Sequence, residues 1–199
     1  MSKDLYEAIE DRRSIYGLSK ETTIDDNLIL EIVEHAVKFA PSPMNCQSAR
    51  VVVLFTENHD LLWDIVKESL RKRVSAERFA ATDEKITSFY NGYATILFYE
   101  DMETVESLQT RFPRYKDTFP LWSLQSSAML QYAIWTSLES EGLGVSLQHY
   151  NEVIEAEVKK EWDIPAKWKL ISQMPFGKPT APPSEKEFMP LPERIKVYR

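Results

Sequence analysis

With Cys46 as the only cysteine, the chain has no internal disulfide and fits a reducing compartment, so a cytoplasmic location is expected. No base partner for that thiol is identifiable in the sequence, and Cys46 reads as a small packing residue without a catalytic role. The five glycines form no Gly-x-Gly-x-x-Gly after a strand, so a Rossmann nicotinamide domain is not indicated. His35, His59 and His149 are too scattered to give metal-ligand spacing, and no metal site is expected. His35 and His59 are placed on helix surfaces or ends, and His149 is taken as structural. An excess of positive charge is also missing: 24 basic against 31 acidic residues give −7, so nucleic acid is not an expected partner. The start carries Asp4, Glu7 and Glu10 and lacks the charged-then-apolar order of a secretory signal. The longest uncharged stretch, 118–138, contains Ser123, Gln125, Ser126, Ser127, Gln131, Thr136 and Ser137, and reads as a buried helix rather than a membrane span.

What is present is enough for one sizeable core: 199 residues, 43% of them hydrophobic, with no internal repeat and no low-complexity tract to divide the chain. Leu5, Ala8 and Ile9 share a helical face that ends near Ser14. Asp25 or Asp26 caps a second helix, whose apolar residues Leu28, Ile29, Ile32, Val33, Ala36 and Val37 recur with helical period until Pro41. Strands are predicted at 51–55, 95–99, 145–147 and 168–173, and helices at 61–70, 77–90, through 101–106 and at 121–138. The last of these is apolar on nearly every face, which implies burial all round, and a homodimer interface is one way to achieve it. Six of the eleven prolines lie between Pro175 and Pro192, so an extended C-terminal arm is expected from about residue 175, suited to wrapping a partner, with regular structure resuming at 195–198. The order is a mixed α+β pattern in a single domain, 1–199.

Three clusters carry chemistry. Arg12-Arg13-Ser14 closes the first helix with two cations and a hydroxyl, and the planar guanidinium fork can bind two phosphate oxygens at once. Taken alone, the same pair is a solvated helix end favoured by the helix dipole. Pro41-Ser42-x-x-Asn45-x-Gln47 brings a hydroxyl and two carboxamides, which offer both donor and acceptor to a heterocycle edge. Ordinary turn chemistry explains those residue types equally well. Phe176-Gly177-Lys178-Pro179 is the third cluster, and a plain turn would account for it.

In order and spacing, these clusters, with Gln125-Ser126-Ser127, the Glu141-to-Asn151 segment and Met174-to-Pro179, make the chain similar to the nitroreductase family of FMN-dependent oxidoreductases. The likeness is strongest to its short Frm2-like and Hbn1-like branch. The resemblance implies an intertwined homodimer built on a central mixed, mainly antiparallel sheet surrounded by helices. It implies FMN as cofactor, NADH or NADPH as transient donor, and a small aromatic acceptor such as a nitroaromatic or quinone. Arg12 and Ser14 match residues that hold the flavin phosphate and ribityl chain, with Arg13 assisting. Lys178 is a candidate phosphate ligand and Lys186 a weaker one, beside Gly177. The segment carrying Pro41, Ser42, Asn45 and Gln47 would reach the flavin from the neighbouring subunit. Backbone groups of Gly142, Leu143 and Gly144 would approach the ring, although a helix cap is the plainer reading. No protein side chain is expected to carry the chemistry, which belongs to the flavin. Tyr16 departs from the pattern, because many members have Lys or Arg there. Two alternatives follow: a flavin-binding regulatory or stress-response protein with little turnover, and a flavin reductase or dehydrogenase of an unidentified metabolite.

Overall fold

The computed structural model describes residues 3–199. Its centre is strand β3 (Ala94–Asp101), which pairs antiparallel with β2 (Ala49–Phe55) on one side and β5 (Trp168–Pro179) on the other. Two short strands, β1 (Leu18–Ser19) and β4 (Gly144–Val145), pair antiparallel with the end of β5. Among the described residues the one parallel pairing is the isolated bridge between Ser14 and Val145. The expected mixed, mainly antiparallel sheet is therefore what forms.

Side chains alternate across a strand, and β3 uses both faces. Ala94, Ile96 and Phe98 enter one core with Ile29, Val33 and Ala36 of α2 (Asp26–Phe39) and Leu130, Ile134 and Leu138 of α6 (Phe119–Ser140). Leu97 and Tyr99 enter a second core with α3 (Thr56–Arg71), α4 (Ala76–Tyr90) and α7 (Asn151–Glu161), through Leu62, Trp63, Val66, Ile86, Phe89, Ile154 and Val158. Each fully buried Leu, Ile or Phe contributes ~1.5–3 kcal/mol. An exposed ion pair such as Lys167–Glu106 is screened by solvent and contributes little, so the two cores, not the surface charges, hold the helices to the sheet.

Local signals place the remaining ends. Asp4 caps α1 (Leu5–Asp11) by accepting from the amides of Tyr6 and Glu7, while the Glu7 carboxylate accepts from the Asp4 amide. Asp25 accepts from the amide of Leu28 and starts α2. That helix stops at Ala40, which is extended because Pro41 follows it.

Several expectations change. β5 continues through Pro175 to Pro179, so the extended arm begins at residue 180 rather than about 175. Helix α5 (Met102–Arg111) runs a turn past residue 106, the helix α7 was not anticipated, and the arm carries its short helix α8 at Leu191–Arg194 instead of structure at 195–198. His59 lies inside, 1% exposed, rather than on a helix surface. In the single chain α6 is buried on one side only: Leu121 is 55% and Met129 46% exposed, with Leu124 and Tyr132 also bare. Among the described residues no helix is long and apolar enough to cross a membrane.

Candidate cofactor site

Helix α1 ends at Arg12, whose amide donates to the carbonyl of Ala8. The chain then runs alongside β4, where Ser14 bridges Val145 and the amide of Ile15 donates to the carbonyl of Val145 at 2.9 Å. The start of the arm folds back over this segment, with the Thr180 amide donating to the carbonyl of Gly17. Gly17 permits that approach: a Cβ there would stand 2.8 Å from the Thr180 Oγ1. Arg13 tethers the arm further on, donating from its guanidinium to the carbonyl of Ser184 at 2.6 Å.

These contacts enclose a cavity of about 440 Å³, lined by Arg12, Arg13, Ser14, Tyr16 and Gly17 with Pro182, Pro183, Ser184 and Lys186 of the arm. It gathers three cations and the hydroxyls of Ser14, Tyr16 and Ser184. Among the described residues none of Arg12, Arg13 and Lys186 makes an ion pair with a carboxylate. The Nε of Arg12 is buried without a partner. An orphaned guanidinium N–H facing uncompensated positive charge fits a dianion, and a terminal phosphate has the oxygens to satisfy it.

The other expected site residues lie elsewhere in the single chain. Gly142, Leu143 and Gly144 line an adjoining cavity of about 690 Å³ that shares Arg13, Pro182 and Pro183 with the first. Gly142 has φ +83° and turns the chain out of α6, while a Cβ on Gly144 would meet Ile15 at 2.9 Å. Lys3 crosses this second cavity to Glu139 and Asp11. Lys178 points away from both: its ammonium pairs with Glu21 at 2.7 Å, and that pairing holds the Glu21 carboxyl below the usual carboxylate range. Gly177 serves strand packing, since a Cβ there would stand 2.3 Å from the Ser19 carbonyl. Lys186, expected to be the weaker candidate, is thus the lysine that joins the arginines.

The 41–47 segment is a separate structure. Ser42 spends its hydroxyl accepting from the Gln47 amide at 2.9 Å. Met44, Asn45 and Gln47 all have φ near +50°, a strained state for side-chain-bearing residues. Pro41 is exposed at its start, and the Asn45 and Gln47 side chains face solvent. Asn45 also lines a cavity of about 730 Å³ together with Met44, Cys46, Asp101, Arg111 and Phe112.

Three features behind the site were missed in the sequence. Arg12 stacks on α6, its Cζ 4.6 Å from the Trp135 ring centre and 5.9 Å from that of Tyr132. Gln173 ties the 148–151 loop to β5: its side chain accepts from the Tyr150 amide and donates to Asn151, both at 2.7 Å. Buried behind the 41–47 segment, Glu100 accepts from the Ser48 hydroxyl at 2.6 Å, and its carboxyl is pushed up to about 7, by burial first. Its only sequence signal is an acid at the end of an apolar run.

A family profile described as "Nitroreductase family" matches residues 9–178. The nitroreductase FRM2 of Saccharomyces cerevisiae is 32% identical over 195 residues, covering 96% of this chain and 95% of the relative. The structure of nitroreductase CinD from Lactococcus lactis in complex with chloramphenicol superposes with a TM-score of 0.90 at 38% identity, covering 98% of this chain and all of that one. A nitroreductase-fold protein from Desulfovibrio desulfuricans in complex with FMN matches with a TM-score of 0.69 at 18% identity over 100% and 99% of the two chains, a likeness of fold alone.

Proposed function

Because the chain belongs to the nitroreductase family, we propose that it is an FMN-dependent NAD(P)H oxidoreductase reducing nitroaromatic or quinone-like acceptors. The observation that carries this reading is the cavity where Arg12, Arg13 and Lys186 meet beside Ser14 with no carboxylate paired to any of them. Three like charges around one cavity repel each other, and a bound anion offsets that more fully than solvent and salt do. Arg12 and Arg13 would hold the flavin phosphate, Ser14 would donate to it or to the ribityl chain, and Lys186 would close the arm over it. Bound FMN would supply hydride chemistry at N5, which accounts for a site without an acid–base pair.

The chain's own contribution is binding, orientation and tuning. The 148–151 loop is fixed to β5 by Gln173. Asn45 presents a free carboxamide on a strained turn, and Gln47 donates from its own only to the Asn45 carbonyl at 3.4 Å, which suits contacts to a ring carried by a second copy of the chain. The acceptor class draws support from CinD, solved with chloramphenicol and with 4-nitrophenol at 38% identity.

The regulatory alternative keeps one observation. Where a cation would stabilise a reduced ring stands Tyr16, lining the cavity beside Tyr150, whose phenol is pushed up to about 12 by burial first and by Tyr16 second. The deciding experiment is the visible absorption spectrum of the purified protein, before and after anaerobic NADH. Flavin bands that bleach support the enzyme, and flavin bands that persist with NADH and NADPH alike support the regulator. A protein that takes up no FMN, even from excess, overturns both readings.

A further inference from the structure

We propose that Trp135, assisted by Tyr132, is a positioning residue that aims the Arg12 guanidinium at the flavin phosphate, so that these two rings set the preference for FMN over riboflavin. This rests on the flavin reading above. The three cations of the cavity are held very differently. Lys186 is exposed on the arm, and Arg13 is committed to the Ser184 carbonyl. Arg12 has neither freedom nor a polar partner: it is half-buried, in no ion pair among the described residues, and its Nε has no acceptor.

What fixes it is the face of α6. Tyr132 and Trp135 stand three residues apart, one turn of helix, and so share a face. The Arg12 Cζ lies 4.6 Å from the indole centre and 5.9 Å from the phenol centre, inside the range where a guanidinium is attracted to a ring. Stacking occupies the face of the guanidinium and leaves its in-plane N–H groups for oxygen ligands. The indole N–H of Trp135 is itself buried without an acceptor, a cost that phenylalanine would avoid. A hydrogen bond therefore does not explain the tryptophan, whereas the broad ring beneath Arg12 does. Ring and phosphate act through the same guanidinium, so losing the ring affects only a ligand that carries the phosphate.

The test is a pair of titrations, FMN and riboflavin, followed by flavin fluorescence on the flavin-stripped protein. Trp135→Leu is expected to weaken FMN about three- to thirtyfold, the range of one cation–π contact, and to leave riboflavin within twofold. Trp135→Phe should recover most of the FMN affinity. Tyr132→Leu, at a residue 43% exposed in the single chain and on the α6 face assigned to the dimer, is compared with wild type at a concentration where sedimentation shows the same oligomeric state, and should weaken FMN severalfold and riboflavin not at all. Equal losses for the two flavins in Trp135→Leu and Tyr132→Leu, or no loss in either, would overturn the proposal. Wild-type protein that binds FMN no better than riboflavin overturns it while leaving the flavin reading standing. Wild-type protein that binds neither flavin removes both.

Discussion

Glu100 is a carboxyl in an apolar strand, with one oxygen accepting from Ser48 and the other buried without a partner. Burial raises its pKa from 4.5 to about 7, so between those values the folded chain keeps a proton that the unfolded chain has released. Stability therefore falls as pH rises through that window, by roughly 3 kcal/mol at most. His59 runs the other way. Its Nε2 faces the Tyr90 carbonyl at 3.1 Å and must carry the proton, so Nδ1 accepts from the Thr95 hydroxyl, which in turn accepts from the Trp63 indole. Burial lowers this imidazole from 6.5 to about 4, so its contribution is present above 6.5 and is lost as pH falls toward 4. The two slopes oppose each other between 4.5 and 6.5 and flatten the wild-type profile there. Glu100→Gln keeps an acceptor for Ser48 and removes one of them. We expect it to be about 1–3 kcal/mol more stable than wild type at pH 8 and equal at pH 4, below both pKa values, by urea midpoints; the same difference at both pH values would sink the assignment. His59 was misplaced on a helix surface or end because the helix was expected to start at residue 61, although His59, Leu62, Trp63 and Val66 recur with helical period and all four are buried. Glu100 was not legible, because its partner stands fifty-two residues away.

At the scale of elements, the end of β5 shows where local signals mislead. Prolines 175 and 179 read as the start of an irregular arm because proline has no N–H for a ladder. In the fold Pro175 uses its carbonyl, which accepts from the Ser146 amide, and Gly177 lets three strands converge. A Cβ at Gly177 would stand 2.3 Å from the Ser19 carbonyl and 2.9 Å from the Tyr93 amide, both backbone atoms that cannot swing aside. Gly177→Ala is expected to cost about 3 kcal/mol. Gly142→Ala, at φ +83° where a Cβ would meet only Thr23 at an ordinary 3.7 Å, should cost about 1 kcal/mol, the strain of a left-handed residue. Melting temperatures compare them directly, and a larger drop for Gly142→Ala would refute this account of the sheet edge. Helix α7 escaped prediction because only Ile154 and Val158 enter the core and no side chain caps its start. The turn at 43–47 was legible from Pro41 and Pro43, but its three left-handed residues were not, since methionine and glutamine are not among the types that favour that conformation.

For the whole molecule, the apolar surface left bare is the dominant fact. Leu121, Leu124, Met129 and Tyr132 of α6 are exposed, and between α2 and α6 lies a groove of about 490 Å³ lined by Leu28, Ile32, His35, Phe39 and Met129. The arm adds Phe188, Met189, Leu191, Ile195, Val197 and Tyr198, all exposed. Apolar surface on this scale marks an interface, and for a helix apolar on nearly every face we propose another copy of the chain as the second covering. The homodimer is a proposal with a consequence for the site. In one chain the 41–47 turn lines a different cavity from the cations, so if both hold one flavin, the turn must come from the partner. Met129→Glu places a charge in the bare face and should convert dimer to monomer in sedimentation at micromolar concentration. FMN affinity should then fall at least tenfold, although Arg12, Arg13 and Lys186 are untouched. A monomeric Met129→Glu that binds FMN like wild type would mean that one chain completes the site, and that Asn45 and Gln47 serve only their own turn.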